Sequence, residues 1–142
     1  MDDSILTERE AAVAWALAYN THDPSVLEPI LAADMRVMSR WVVNDLVGRA
    51  VYVEYLRRKF ATFEQTGSVV RVEIGSAPAG PSGAQGRPCA LIEQDGSLLA
   101  TVFFDVIGGL VSQISLGENP PPATCRRSGE YPGFEAGQEI VN

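Results

Sequence analysis

A single carboxylate, Asp105, interrupts the apolar run 97–107. Desolvation in such a setting favours the neutral acid, which donates a hydrogen bond to a ligand oxygen. Asp105 is then a general acid or a polar anchor for a ligand. The competing reading pairs it inside the core with Trp15 Nε1, Ser112 or a buried water. Histidine occurs once, at His22, which excludes mechanisms built on a His pair and metal centres built on several His. Its place in a turn assigns His22 a capping role. Cys89 falls in a strand-like stretch and Cys125 in a Pro-rich one, so two reduced thiols are expected rather than a disulfide or a zinc site. Neither a metal nor a cofactor is expected.

The position of Asp105 depends on strand register. Asp95-Gly96 and Gly108-Gly109 are two-residue hairpin signals, so 89–94, 97–107 and 110–118 form an antiparallel meander. Unbroken pairing outward from these turns sets Asp105 opposite Ser112, Phe103 opposite Ile114 and Thr101 opposite Leu116 and Ala90. It also sets Leu99 opposite Glu118 and Ile92. One face then carries Ala90, Ile92, Leu99, Thr101, Phe103, Asp105, Ile114 and Leu116. The other carries Leu91, Leu98, Ala100, Val102, Phe104 and Val106 with Gln113 and Ser115. A sheet apolar on both sides must be covered twice, by helices and by something else, and a homodimer through the outer face is expected.

Helical periodicity supplies the first cover. The stretch 7–20 opens with Thr7 as cap and Glu8 and Glu10 in the first turn, and places Trp15 and Tyr19 one turn apart. Asp23-Pro24 starts a short second helix to Ala33. In 35–43, Val37, Trp41 and Val43 alternate with Arg36 and Arg40 as in a half-buried strand, giving Ser39 the parity of Trp41. The third helix, 49–65, aligns Val51, Tyr52, Tyr55, Leu56, Phe60 and Phe63 on one stripe and ends at Gly67. Another strand alternates at Val70, Val72 and Ile74, before a Gly- and Pro-rich loop over 78–88.

At 142 residues with 46% apolar and 20% charged residues, the chain is one globular domain with its own core. Eighteen acidic against 11 basic residues give a net charge of -7. The one basic run, Arg57 to Lys59, makes no stripe along which phosphates would lie, so nucleic acid is not an expected partner. No apolar stretch has the length of a membrane span, and the first residues, Met1-Asp2-Asp3-Ser4, lack an export pattern. A cytoplasmic protein without membrane contact is expected. Beyond 118 the chain turns Pro- and Gly-rich, including Pro120-Pro121-Pro122, which divides it into a domain over 1–118 and an extended tail over 119–142.

In this order of elements, Tyr19 to Pro24 joins the first helices, Leu31-Ala32-Ala33-Asp34 enters the first strand and Gly48-Arg49 opens the long helix. On these marks, over 7–118, the chain resembles the nuclear transport factor 2-like superfamily, which includes SnoaL-like and ketosteroid isomerase-like proteins. The resemblance implies an α+β, cystatin-like cone: three helices packed on a curved, mostly antiparallel sheet around a pocket. The superfamily spans several activities, so its branches are tested by residue. Against the ketosteroid isomerase branch, Asp105 matches the oxyanion-side aspartic acid, Trp15 stands where a tyrosine is used, and Ser39 stands where the base is used. Ser39 cannot abstract a carbon-bound proton. The scytalone dehydratase branch needs two histidines, and the epoxide hydrolase branch needs an arginine that the Asp105 face lacks.

The reading that results is a cone binding a small, mostly apolar, oxygen-bearing molecule, with acid-assisted isomerase-, cyclase- or lyase-like chemistry at Asp105. Trp15, Tyr19, Ser39, Trp41, Tyr55, Phe103, Ile114, Leu116 and Glu118 are the expected lining, with Glu118 at the rim. The alternative is a non-catalytic homodimerisation module whose cone is filled by Trp15, Trp41, Phe60 and Phe103. A cavity of several hundred cubic ångströms reaching Asp105 separates the two.

Overall fold

A computed structural model describes residues 6–78 and 86–134. Helix α1 (Glu8–Thr21) starts at a reciprocal cap: Thr7 Oγ1 accepts from the Glu10 N–H and Glu10 Oε1 from the Thr7 N–H, both at 3.0 Å. It ends at His22, whose left-handed φ of 58° closes the C-cap. The expected second helix is realised as two 3-10 turns, Pro24–Val26 and Glu28–Ile30. Pro29 interrupts the backbone ladder and disfavours helix at Glu28, and the chain is extended by Leu31. Helix α2 (Arg49–Thr66) stops at Gly67, as its φ of 74° requires.

Seven strands form one sheet: β1 (Leu31–Ser39), β2 (Leu46–Val47), β3 (Val70–Ser76), β4 (Pro88–Gln94), β5 (Ser97–Ile107), β6 (Leu110–Gly117) and β7 (Arg126–Arg127). Their order is β2-β1-β6-β5-β4-β3-β7, with β1 parallel to β6 and the other pairs antiparallel. Both predicted hairpin turns are present, with positive φ at both central residues of each, Asp95-Gly96 and Gly108-Gly109. Strand β1 ends at Ser39, so Trp41 and Val43, expected within it, lie in the exposed turn that follows.

Register is where the expectation fails. The β4–β5 ladder begins as expected, Gln94 opposite Ser97 and Glu93 opposite Leu98, but Ile92 then faces Ala100, leaving Leu99 as an extra residue. In β5–β6, Val106 faces Val111 while Asp105 faces Gln113, leaving Ser112 extra. A one-residue bulge reverses every side chain beyond it relative to unbroken pairing. The face under the helices therefore carries Ala100, Val102 and Phe104, at most 1% exposed, with Ala90, Ile92 and Ile114. Thr101, Phe103 and Asp105 project from the outer face.

That outer face has a cover of its own. Cys89 and Leu91 pack with Cys125 and the flanking Leu98 and Phe103. The stretch beyond 118 crosses there, with Pro122 buried and Thr101 Oγ1 donating to the Pro120 carbonyl at 2.8 Å. Glu73, 3% exposed, accepts from Arg127 Nε and from the Gly129 N–H, both at 2.7 Å. Gly75 makes room for the crossing, because a Cβ there would lie 2.7 Å from the Arg126 carbonyl oxygen. The two cysteines thus meet rather than stand apart, and burial, aided by Cys125, pushes the Cys89 thiol up to about 12. The expected pairing of an apolar outer face with a second subunit rested on Ala100, Val102 and Phe104 pointing outward, and they do not. Residues 79–85 of the predicted loop and 135–142 of the tail lie outside the described residues. Among the described residues no helix is long and apolar enough to cross a membrane.

Candidate functional site

Between α2, the end of β1 and the inner side of β4–β6 lies a cavity of about 480 Å³. Its wall is mainly apolar, built from Val37, Leu46, Phe63, Val70, Ile92, Ala100 and Leu116. Polar groups come from the helices, Tyr19 on α1 with Tyr52, Tyr55 and Lys59 on α2, and from the sheet and its turns, Ser39, Asn44, Gln94 and Glu118. On α2, helical spacing stacks Tyr52, Tyr55 and Lys59 along one stripe, and the Tyr52 and Tyr55 rings lie 6.1 Å apart in a stacked arrangement.

The hydroxyl of Tyr52 is held from behind. Trp15 Nε1 donates to it at 2.8 Å, a fully buried contact between the two helices. Trp15 also packs on Tyr19, ring centroids 4.1 Å apart, and edge-on against Phe104 at 5.8 Å. Burial raises the pKa of Tyr19 well above the usual phenol, with a smaller contribution from the neighbouring Tyr52 and Tyr55. Burial likewise raises Tyr52, against the lowering effect of the Trp15 hydrogen bond. Both remain neutral hydroxyls, and the Tyr52 oxygen, already an acceptor from Trp15, directs its own proton elsewhere.

Of the expected lining residues, Tyr19, Ser39, Trp41, Tyr55, Leu116 and Glu118 reach this cavity. Ser39 Oγ accepts the Trp41 N–H at 3.2 Å and shapes the turn at the mouth, while Trp41 is 53% exposed. Glu118, just past β6, is ion-paired with Arg40 at 2.9 Å. Trp15 and Ile114 are buried beneath the site rather than on its wall.

Asp105 and Phe103 are corrected outright. The bulges put both on the opposite side of the sheet, where Arg87 Nη2 donates to Asp105 Oδ1 at 2.7 Å and the guanidinium lies 4.8 Å from the Phe103 ring centroid. The Asp105 face therefore does carry an arginine, which also bonds Glu8 at 2.9 Å. The Asp105 side chain is 46% exposed and belongs to a surface ion-pair cluster. His22 caps α1 and stands 3.1 Å from Glu64 with its ring stacked on Phe60. Among the described residues no group of three His, Cys, Asp or Glu side chains is arranged to hold a metal ion.

Tyr52, Lys59, Asn44 and Gln94 are the polar lining groups that were missed. Tyr52 was read as core and Lys59 as the end of the basic run from Arg57, although Tyr52, Tyr55 and Lys59 recur at helical spacing on one stripe. What hid them was the bulk of that stripe, which looks the same whether it faces a filled core or the wall of a cavity.

No family model and no curated protein sequence matches the chain. Solved structures do. A cystatin-fold protein from Novosphingobium aromaticivorans, 18% identical, superposes with a TM-score of 0.57 over 79% of this chain and 98% of its own. A SnoaL-like protein of unknown function from Burkholderia thailandensis, 16% identical, gives 0.56 over 87% and 100%. A protein with a ketosteroid isomerase-like fold from Catenulispora acidiphila, in complex with trimethylamine, gives 0.52 over 78% and 86% at 18% identity. At these identities the likeness concerns the backbone, and it agrees with the element order and the mixed sheet described above: the chain has the α+β, nuclear transport factor 2-like cone of the cystatin-like type.

Proposed function

We propose that this protein binds a small, mostly apolar, oxygen-bearing molecule in the cavity between α2 and the sheet, with the hydroxyl of Tyr52 as donor to the ligand oxygen and the Tyr19 hydroxyl hydrogen-bonded beside it. The observation that carries the reading is the Trp15 Nε1 to Tyr52 hydroxyl bond of 2.8 Å at the wall of a mainly apolar cavity of about 480 Å³. A neutral phenol held by a buried indole donor is preorganised to give its proton to a carbonyl or an oxyanion. A volume of this size suits a drug-sized molecule and argues against the filled-core alternative, for Trp41 and Phe103 do not plug the cone.

The reading stops at binding and polarisation. Proton abstraction needs a base, and among the described residues the one carboxylate on the wall, Glu118, is engaged by Arg40 at the mouth. Asp105 has no part in it. A homodimer through the outer sheet face belongs to the same reading in reduced form, resting on Phe103, Gln113 and Ser115, which are half-buried there.

Calorimetry on a matched pair tests the donor. Native protein should bind 2-acetylnaphthalene about tenfold more tightly than 2-ethylnaphthalene, the worth of one hydrogen bond made in a dry site. Tyr52→Phe should erase the difference and leave the hydrocarbon affinity in place, while Asp105→Asn should behave as native. A ketone preference that survives Tyr52→Phe and disappears in Asp105→Asn would reverse the assignment.

A further inference from the structure

Lys59 is the single lysine in the chain, and it lines the cavity. Its Nζ sits over two aromatic rings, 5.5 Å from the Tyr55 centroid and 5.6 Å from that of Phe63, contacts that stabilise a cation on the spot. Among the described residues it has no carboxylate partner. The two acids of its own helix are taken, Glu54 by Arg58 at 3.2 Å and Glu64 by His22 at 3.1 Å. The other charged group on the wall, Glu118, carries its counter-ion with it in Arg40. The cavity thus contains one uncompensated positive charge, half-buried beside apolar surface, in a chain whose net charge of -7 gives anions no general attraction.

We propose that the molecule this cavity takes is an apolar carboxylic acid, aryl or alkyl, bound as its anion with the carboxylate at Lys59 and the apolar body against Val37 and Ile92. The inference rests on the cavity being a binding site and goes beyond it in naming the class of ligand. A neutral ligand would leave the Lys59 charge unpaired next to displaced water, whereas a carboxylate restores to it a charge-assisted hydrogen bond. Tyr55, stacked between Tyr52 and the Lys59 ammonium, puts a second hydroxyl at that end of the wall. The deeper Tyr52 hydroxyl remains for a second oxygen on the same molecule.

The test compares acids with their own amides, which keep shape and lose charge: benzoate, 2-naphthoate and biphenyl-4-carboxylate against benzamide, 2-naphthamide and biphenyl-4-carboxamide, by calorimetry at pH 7. At least one acid should bind about tenfold or more tightly than its amide, with a preference that weakens as salt rises. Lys59→Met keeps the length and helix propensity of the side chain, so it should bring the acid down to the amide while the amide holds its affinity. Equal binding of acids and amides by the native protein overturns the proposal and leaves the cavity reading standing. A preference that persists in Lys59→Met also overturns it, because the charge that selects the acid then lies elsewhere. Failure of all six compounds to bind removes the cavity reading, and this inference with it.

Discussion

Trp15→Ala should cost about 3–5 kcal/mol of stability, the usual loss when a large buried aromatic is cut back to a methyl group. The ring is 0% exposed and touches both layers of the core, Tyr19 on its own helix and Phe104 on β5, while its nitrogen holds Tyr52 on α2. Removing it opens a void that neither the helix nor the sheet is free to fill, because α1 is fixed at both ends. Its N-terminus carries the Thr7–Glu10 cap, and near its C-terminus the Asn20 side chain bonds the backbone of Val72 at 2.9 and 2.8 Å. In a domain of this size each kcal/mol lowers Tm by roughly 2–4 °C, so a fall of about 10 °C is expected in a thermal scan. Trp15→Phe isolates the hydrogen bond from the bulk and should cost about 1–3 kcal/mol, since it leaves the Tyr52 hydroxyl without its buried donor. An alanine variant within about 1 kcal/mol of native would mean that the ring lies outside the core.

Val102→Glu is expected to be worse, because it places a carboxylate at a site with 0% exposure beneath α1. Among point changes, an unpaired buried charge belongs to the small set that exceed about 4 kcal/mol. The variant should lack a cooperative thermal transition. Unbroken hairpin pairing makes the opposite forecast, a folded protein whose outer surface has merely lost a dimer contact. A folded, monomeric Val102→Glu protein in sedimentation would therefore restore the unbulged register and refute the one described here.

These two residues show how far the sequence was legible. The long-range plan was readable because it is written in local signals: the Thr7 cap, the period of α2, the Gly67 stop and the paired positive-φ turns at Asp95-Gly96 and Gly108-Gly109. The strands β4, β5 and β6 follow from those turns almost to the residue. Which face each residue takes was not readable, since the bulges at Leu99 and Ser112 have no signature in a sheet apolar on both sides. With Leu98, Leu99, Ala100 and Thr101 in succession, alternation gives no clue to parity. The error carried Asp105 into the cavity and Val102 out of the core. Residues placed by helix or by strand end were spared: Tyr19, Tyr55, Ser39 and Glu118 reach the cavity whatever the register of β5. The segment after 118 was legible only as Pro- and Gly-rich, because what fastens it, the buried Glu73 with Arg127 and Gly129, is a contact between distant parts of the chain.

The most direct test of the central claim uses the four tyrosines themselves. In protein carrying ¹³Cζ-tyrosine, three of the four signals come from the cavity wall, Tyr19, Tyr52 and Tyr55. The fourth comes from Tyr131, beside Arg127 on the far side of the sheet. Titration with 2-acetylnaphthalene should shift Tyr52 and Tyr19 in a saturable way and leave Tyr131 where it is, since Cζ reports the hydrogen bond made by its own hydroxyl. If Tyr52 and Tyr19 stay fixed up to the solubility limit of the ketone, or if Tyr131 alone responds, the cavity is not where this protein holds an oxygen-bearing ligand.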